Sequence, residues 1–486
     1  MTSLRLDRRE QDSLEGQMGP GLQLAAQLVA ALGTIYGAED LVPVASVQVA
    51  GVSFRNLGHA GLEFLTEWAA GGATVAVPST LNPAGMDLED WHAHGIPEDF
   101  AIAQQAVIRA YRAFGVSATC TCTPYLVGNR PRLGEHVAWS ESSAVAFANS
   151  VLGARTNREG GPAALAAAIL GKTARYGLHL DEERRPSLVI DVACELRNSA
   201  DWGALGYQVG RLAGDRVPLL RLRHPPSGLM GSDDLLSSSH LEHLKTLGAA
   251  MAASGAVGLY HIDGVTPEAR PAGRLSARGT ECVDITDLRP VYEALNGQVN
   301  GTRNTHHGPR SLAPDDSIDL VSIGCPHACL SELADLVRLL QGRRVRTAFW
   351  VTSSRDVFGR ARAEGLAQAL EASGVRLMAD TCLVVAPMQS YGYRTLATNS
   401  AKMAVYAPGH CGLATRFGDL EQCVAAALSG RWQANPGGGG PHSGSRGLSA
   451  GVAVTEGRPE PPAIAVPDPC PFVSSVTPSP VFRTLQ

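Results

Sequence analysis

Residues 319–385 decide the fold, because apolar runs and helix-periodic runs alternate along them: DLVSIGC (319–325), LSELADLVRLLQG (330–342), RTAFWVT (346–352), DVFGRARAEGLAQALEASG (356–374) and RLMADTCLVV (376–385). This order predicts a β-α-β-α-β unit, in which the strands form a parallel sheet. The first third of the chain also alternates strand-like and helix-like runs. The sequence therefore predicts an α/β protein.

Five cysteines stand where short apolar runs end and Gly, Pro or Thr begins: Cys120, Cys122, Cys325, Cys329 and Cys382. Parallel sheets bind ligands beyond the carboxyl ends of their strands, so Cys325 and Cys382 are expected to face one cleft. A helix N-terminus facing such a thiol would stabilise its thiolate. This placement predicts a soft-metal site.

A second interpretation stays open at this point, because free cysteines are usually buried and pack as small apolar side chains. No CxxC pair or zinc-finger spacing is present. Five further cysteines receive no role: Cys194, Cys282, Cys411, Cys423 and Cys470.

The composition is that of a large globular protein without a strong charge bias. The chain has 486 residues, with 41 Lys and Arg against 46 Asp and Glu, for a net charge of −5. No basic stripe with interleaved aromatic residues is present, so nucleic acid and anionic membranes are not expected partners. Ten cysteines without an export signal predict reduced thiols in a cytoplasmic protein.

Three regions are predicted along the chain. Residues 1–310 form an α/β catalytic region of two subdomains, residues 311–432 form an α/β domain that carries cluster cysteines, and the Gly-, Pro- and Ser-rich residues 433–486 form a disordered tail. Within the first region a helix over 22–32 is predicted to stop at Gly33. TVAVP (74–78) and VSATC (116–120) are predicted strands, and STLNPAGMD (79–87) a loop.

Residues 134–185 concentrate polar side chains. Pro162 fits the first turn of a helix and Gly171 its end, so the loop TNREGG (156–161) lies at a helix N-terminus, where a carboxylate or phosphate would bind. The alternative is that Arg158 and Glu159 simply pair with each other on a solvated loop.

Seven strings carry a resemblance to the large subunit of aconitase X, a divergent branch of the aconitase superfamily. They are PSTLNPAGMD, TCTCTPYLVGN, GEHVAWSESSAVAFANSVLGARTNREGG, YGLHLDEE, LVSIGCPHA, ADTCLVVAP and LATNSAKMAVYAPG, and they lie within residues 22–432. The resemblance implies an aconitase-like arrangement, with several parallel-sheet α/β units around a central cleft.

The resemblance also implies a hydro-lyase that dehydrates 5-phosphomevalonate, with cis-3-hydroxy-L-proline as the alternative substrate. Arg155, Arg158, Lys172 and Arg175 near the helix at Pro162 slightly favour the phosphorylated substrate. The same groups could instead bind the carboxylate of a proline derivative. The implied cofactor is an iron–sulfur cluster, [4Fe-4S] or a cluster of other nuclearity such as [2Fe-2S]. By motif its ligands are Cys122, Cys325 and Cys382, whereas Cys120 and Cys329 are neighbours.

With three thiolate ligands, one iron lacks a protein ligand and accepts the substrate hydroxyl and carboxylate as a Lewis acid. Acid or base work is expected from four residues of the matching motifs: His136, Glu141, Ser142 and Lys402. Substrate binding is expected from seven more: Ser79, Thr80, Asn82, Asn157, Arg158, Asn399 and Ser400. For the acid–base candidates, a satisfied buried network is the competing interpretation.

Family members combine this large part with a small swivelling domain that resembles the donor of a catalytic serine. No segment of this sequence resembles that domain, so a separate small subunit is the expected partner. A non-catalytic, metal-binding or regulatory member of the family is the alternative of another class. A nucleotide-binding protein is disfavoured, since no GxGxxG follows a strand.

Overall fold

Parallel sheets organise the computed structural model, which describes residues 4–230, 240–270, 275, 281–297 and 316–433. These residues belong to one unit of the chain, Met1–Gly439. The predicted tail lies outside the described residues except for Gln433. No helix in the described part of the chain combines the length and apolar character that crossing a membrane requires.

The described strands are short, mostly apolar and mostly buried. They are β1 (Leu41–Pro43), β2 (Val47–Val49), β3 (Ser79–Leu81), β4 (Ala138–Trp139), β5 (Lys172–Ala174), β6 (Leu188–Val192), β7 (Pro218–Leu222), β8 (His261–Ile262), β9 (Glu281–Ile285), β10 (Leu320–Ile323), β11 (Ala348–Ser353), β12 (Arg376–Ala379), β13 (Thr395–Thr398) and β14 (Ala414–Phe417).

Three parallel sheets and one antiparallel pair contain all of these strands. The sheet orders are β3-β2-β4, β8-β7-β6-β9 and β12-β11-β10-β13-β14, and β1 pairs antiparallel with β5. In the five-stranded sheet Leu320 lies opposite both Ala348 and Leu396. Strand β10 is buried along its whole length, as parallel sheets covered on both faces require.

The described helices cover and connect these sheets. They are α1 (Arg8–Leu14), α2 (Pro20–Ile35), α3 (Phe54–Ala70), α4 (Glu98–Ala113), α5 (Ser142–Phe147), α6 (Gly161–Leu170), α7 (Ser199–Ala213), α8 (Leu241–Ser254), α9 (Arg289–Asn296), α10 (Leu330–Leu340), α11 (Arg355–Ala363), α12 (Leu366–Ala372), α13 (Ala401–Cys411) and α14 (Leu420–Ser429).

The predicted α/β class with several parallel-sheet units is confirmed. The unit over 319–385 forms as β10-α10-β11-α11-α12-β12, with its three strands and first helix as predicted. The single helix predicted over 356–374 is instead two helices, α11 and α12, which separate at Gly365 with a φ of 77°. Helix α6 has Pro162 in its first turn and ends at Gly171, whose φ of 74° is the left-handed conformation that favours glycine.

The predictions for the first third were wrong in detail. The predicted loop 79–87 begins with β3, and neither TVAVP nor VSATC forms a named strand. Strand β3 tolerates buried hydroxyls because Ser79 Oγ donates to the Val77 carbonyl at 2.8 Å and Thr80 Oγ1 to the Val47 carbonyl at 3.3 Å. Helix α2 continues through Gly33, where a Cβ would lie 3.2 Å from Leu4, so this glycine permits close packing.

The chain segments that follow β3 and β12 pair with each other. Ala84 and Thr381 form a parallel bridge, in which the Ala84 N–H donates to the Asp380 carbonyl at 2.7 Å and the Cys382 N–H donates to the Ala84 carbonyl at 3.1 Å. The carboxyl edges of the three-stranded and five-stranded sheets are therefore joined directly.

The close packing of α7 against α8 provides a test of the fold. A Cβ at Gly206 would lie 2.4 Å from the Leu247 carbonyl oxygen, so we expect Gly206→Ala to push the helices apart and lower the free energy of unfolding by about 1–3 kcal/mol. Gly359 of α11 has open space around it, and Gly359→Ala should instead stabilise by about 0.4–1 kcal/mol. Urea unfolding of both variants measures this difference, and equal effects would contradict the packing argument.

Candidate active site

The residues that the sequence singles out converge on the joined edges of two sheets. Asn82 follows β3 and Glu141 follows β4, while Cys325, Cys382 and Asn399 follow β10, β12 and β13. Such edges are where open parallel sheets bind ligands. The fold thus brings together residues that are more than 300 positions apart in sequence.

The three predicted ligand thiols share this site. Cys122 is buried, and Cys325 and Cys382 are half-buried. The Cys122 sulfur accepts a hydrogen bond of 3.2 Å from the backbone N–H of His327, which is two residues beyond Cys325. Cys382 lies within electrostatic range of both other thiols.

Burial sets the protonation of these thiols. Burial, with a smaller contribution from the Glu141 carboxylate, raises the pKa of Cys122 to about 12. Burial also raises the pKa of Cys325 and that of Cys382, although the Lys402 ammonium opposes it in both cases. Desolvation therefore favours the neutral form of all three thiols.

The donor set fits an iron–sulfur cluster. Three thiols reach one polar site from three separate segments, and two of them remain partly accessible. Among the described residues these sulfurs are not all within 4.8 Å of one another, the spacing that a single ion would use. Cysteine thiolates are the ligands that hold iron–sulfur clusters in proteins.

A buried ion pair lies beside the thiols. The Lys402 ammonium donates to Glu141 Oε1 in a short contact, and its Nζ lies 3.4 Å from Ser142 Oγ and 3.3 Å from Ser143 Oγ. Asn82 Nδ2 donates to the other Glu141 oxygen at 2.8 Å. Glu141 is also the N-cap residue of α5, and its carboxylate accepts from the Ser143 N–H. Three of the four predicted acid–base residues are thus in one network.

The pair is ionised at neutral pH. Burial alone would raise the pKa of Glu141, but Lys402, Arg158 and the Asn82 hydrogen bond bring it down to about 2. Burial alone would lower the pKa of Lys402, but Glu141 raises it above its usual range. Each charge therefore maintains the other.

His136 lies apart from this network. Its Nδ1 lies 2.9 Å from Nδ1 of His179, and burial together with Arg155 lowers its pKa. His136 and Glu141 lie at opposite ends of the β4 segment, roughly 16 Å apart at about 3.3 Å per extended residue. The structure therefore does not bring His136 into the network of the other three acid–base candidates, and its role stays a prediction.

Four of the seven predicted substrate-binding residues use their side chains inside the fold. Ser79 and Thr80 bond the backbone of their own sheet. Asn157 bonds the Tyr176 carbonyl at 3.0 Å and the Leu178 N–H at 2.9 Å. Ser400 Oγ donates to the Cys325 carbonyl in a short contact, so it positions the segment of that cysteine.

The other three retain unused hydrogen-bonding capacity. Asn82 Oδ1 is buried and has no partner in the described part of the chain. Arg158 is exposed and makes no hydrogen bond or ion pair there, so its alternative pairing with Glu159 does not occur. Asn399 is half-buried, and its side chain bonds no described residue. These groups are available to a ligand.

The other cations expected to hold a phosphate are engaged. Arg155 pairs with Asp181, Arg175 with Asp40 at 2.6 Å, and Lys172 with Asp7 at 2.9 Å. Of the four basic residues near α6, Arg158 alone is unpaired within the described ranges. A phosphate bound near this helix would therefore have one available cation, Arg158, and not four.

Sequence reasoning missed the buried residues behind the thiols. His327 is 1% exposed, and its ring contacts Thr121 and Thr381, the residues that precede Cys122 and Cys382. Lys245 of α8 is buried, pairs with Glu332 and donates to the His327 carbonyl at 3.0 Å. A lone lysine within the otherwise apolar stretch LKTLGAAMAA was the available signal.

A second set of metal-binding residue types lies beside Lys245. Ligand atoms of Glu242, Cys329 and Glu332 lie within 4.8 Å of one another. The Lys245 ammonium already neutralises Glu332, and Cys329 donates its N–H to that carboxylate at 2.9 Å as the N-cap of α10. We interpret this group as a structural ion pair.

Comparison with known proteins agrees with this geometry. Models of the first, second and third domains of aconitase X match residues 3–182, 186–293 and 318–429. The chain is 47% identical over 414 residues to the phosphomevalonate dehydratase large subunit of Methanothermobacter thermautotrophicus, covering 85% of this chain and 96% of that protein.

Two further relatives show the range of similarity. The cis-3-hydroxy-L-proline dehydratase of Pseudomonas aeruginosa is 36% identical, over 88% of this chain and 70% of its own length. The crystal structure of Thermococcus kodakaraensis aconitase X in its holo-form superposes with a TM-score of 0.76 at 40% identity, covering 87% of this chain and all of that one.

The Lys402–Glu141 pair predicts a reversal of pH dependence. The pKa of Glu141 in the folded chain is about 2 against 4.5, so the pair contributes stability above pH 4.5 that is lost as the pH falls towards 2. In Lys402→Met the carboxylate is buried without its cation. We expect a loss of about 3–5 kcal/mol at pH 7 that shrinks on acidification, because protonation then relieves the buried charge.

Urea unfolding at pH 7 and pH 5 measures this effect. Arg338→Met is the control, since its exposed pair with Asp335 should contribute less than about 1 kcal/mol. A loss in Lys402→Met no larger than the control, or one that grows on acidification, would contradict the prediction.

Proposed function

Because the chain belongs to the aconitase X family, we propose that it is the large subunit of a dehydratase that eliminates water from 5-phosphomevalonate. The observation that carries the proposal is the joined sheet edge, where three thiols, a buried Lys402–Glu141 pair and three uncommitted polar groups meet.

The family implies an iron–sulfur cluster, and we propose [4Fe-4S] held by Cys122, Cys325 and Cys382. When bound, the cluster supplies an iron with an open position that acts as a Lewis acid on the departing hydroxyl. The residues of the chain position the ligand cysteines and neutralise charge around them. Ser400 holds the Cys325 carbonyl, and the Lys402 ammonium offsets negative charge around the thiols.

Elimination also requires a group that removes a proton from the carbon next to the hydroxyl-bearing one. We assign this role to Glu141, whose carboxylate is ionised and is oriented by Lys402, Asn82 and Ser142. Cluster binding would convert the three thiols to thiolates, and their negative charge would raise the pKa of Glu141 from its low value, because each thiol is within electrostatic range of that carboxylate. A serine from the small subunit is the competing proton acceptor.

The substrate is bound by the uncommitted groups. We assign Arg158 to an anionic group of the substrate and Asn82 and Asn399 to its oxygens. Arg158 is near enough to Glu141 to lower its pKa, so an anion held by Arg158 lies beside the proton acceptor. The choice of 5-phosphomevalonate rests on relatives at 40–47% identity that are named phosphomevalonate dehydratase large subunits.

The relatives named large subunits imply a small-subunit partner. We propose that a separate chain covers the cleft and contributes to catalysis. We also place the enzyme in the cytoplasm, because the nine described cysteines are all free thiols. Dehydration of cis-3-hydroxy-L-proline is the second candidate, supported by relatives at 34–36% identity and by the pairing of three of the four expected phosphate-binding cations.

Anaerobic reconstitution tests the proposal. With iron and sulfide, the wild-type chain should bind iron and show visible absorption that Cys325→Ser loses, and with a small subunit it should dehydrate 5-phosphomevalonate. Cys423→Ser is the control, because that thiol is buried in the five-stranded sheet's core and should not affect iron content. An iron-free wild type would overturn the proposal, and activity on the hydroxyproline alone would support the second candidate.

Glu141→Gln tests the proton acceptor. The amide keeps the shape of the side chain but accepts no proton, so we expect kcat to fall by about 10²–10⁴ with iron content retained. Glu268→Gln is the matched control, since Glu268 is also an ion-paired carboxylate, bound to Arg184 away from the thiols. If the kcat of Glu141→Gln equals that of the control, Glu141 is not the proton acceptor and the role belongs to the small subunit.

A further inference from the structure

We infer that His327 is a positioning residue that fixes the relative placement of the three cysteine segments through both nitrogens of its imidazole ring. The inference rests on the proposed function, because it concerns the same cluster site. No catalytic role is assigned to the ring.

His327 touches each of the other two cysteine segments at the residue just before its cysteine. Its Nε2 lies 2.8 Å from the Thr381 carbonyl, next to Cys382. Its Nδ1 lies 3.0 Å from Thr121 Oγ1, next to Cys122. His327 itself lies two residues beyond Cys325. One buried side chain thus connects three segments that come from different parts of the chain.

The partners define how the ring is used. A carbonyl oxygen only accepts, so Nε2 carries the hydrogen and donates it to Thr381. In the neutral ring Nδ1 then accepts from the Thr121 hydroxyl. Both ring nitrogens are satisfied, which contrasts with buried His179 and His261, each of which has one nitrogen without a partner in the described part of the chain.

The backbone of His327 adds two further connections. Its N–H donates to the Cys122 sulfur at 3.2 Å, and its carbonyl accepts from buried Lys245 at 3.0 Å. Thr121 is held in turn by Gln48, whose Nε2 donates to the Thr121 carbonyl at 3.0 Å. The position of His327 is therefore fixed by hydrogen bonds of its ring and its backbone, and these bonds in turn position the cysteine segments.

A cluster binds tightly only when its ligands are already at the required spacing. Groups that orient metal ligands through hydrogen bonds typically contribute about 10–100-fold to metal affinity. Loss of the imidazole would leave the Thr381 carbonyl and the Thr121 hydroxyl without this partner, and the segments of Cys122 and Cys382 would lose their connection through the ring.

The test uses the full chain, reconstituted anaerobically, and measures iron release to a chelator together with visible circular dichroism of the cluster. We expect His327→Leu to release iron about 10–100-fold faster than wild type and to change the dichroism spectrum. His327→Gln keeps a donor near the position of Nε2 and should restore part of the retention. Thr121→Val should also accelerate release, since it removes the hydroxyl partner. His261→Gln, at a remote buried histidine, should stay within about twofold of wild type.

The outcomes separate this inference from the proposed function. A wild type that holds no iron overturns both. A wild type that holds a cluster, with a folded His327→Leu that releases iron at the wild-type rate, overturns this inference alone. If His327→Leu does not fold, the other two variants decide. Iron release at the wild-type rate in both Thr121→Val and His327→Gln overturns the inference. Faster iron release by Thr121→Val, with an unchanged unfolding temperature of the metal-free chain, supports it.

Discussion

The buried pair of Lys402 and Glu141 is the constraint around which the site is built. Glu141 follows the three-stranded sheet, and Lys402 is in the helix that follows β13 of the five-stranded sheet. Two buried charges cannot be separated without leaving each one uncompensated, at a cost of several kcal/mol. The pair therefore fixes how the two sheet edges meet, and Asn82, Ser142 and the thiols are arranged around it.

Other ion pairs act in the same way between neighbouring parts of the fold. Arg355 reaches Asp87 at 2.7 Å and also contacts Asp380, which connects the chain after β3 with the chain after β12. Lys245 and Glu332 connect α8 with α10. Such pairs contribute little net stability compared with apolar packing, but they require one particular geometry. The apolar cores hold each sheet together, and the charged pairs set the position of one sheet edge relative to another.

Local sequence patterns predicted the parts of the molecule that local physics controls. The alternation over residues 319–385 predicted the three strands and the first helix correctly, because each run has one clear period. It did not predict that Gly365 divides the second helical run into α11 and α12. The same reasoning placed Cys325 and Cys382 at strand ends. It failed for β3, whose polar residues are buried because Val47 and Val77 carbonyls accept their hydroxyls.

Local sequence patterns did not predict which side chains bond to each other, because the partners are far apart in sequence. His327 is bonded to residues 206 and 54 positions away, and Lys402 to one 261 positions away. Nothing in the vicinity of these residues distinguishes them from others of their type. The resemblance to aconitase X identified Lys402 and Glu141 through their motifs, but it did not distinguish uncommitted Arg158 from Arg155, which is paired with Asp181.

The pairing of the segments after β3 and β12 has a consequence for how the protein is made. Residues 82–84 and Cys122 emerge from the ribosome early, whereas Thr381, Cys382 and Lys402 emerge near the end of the described chain. At about 5–20 residues per second, the roughly 260 residues between Cys122 and Cys382 take roughly 10–50 seconds to synthesise. The N-terminal sheet must persist for that time with an incomplete edge, and the finished site is among the last parts of the molecule to be assembled.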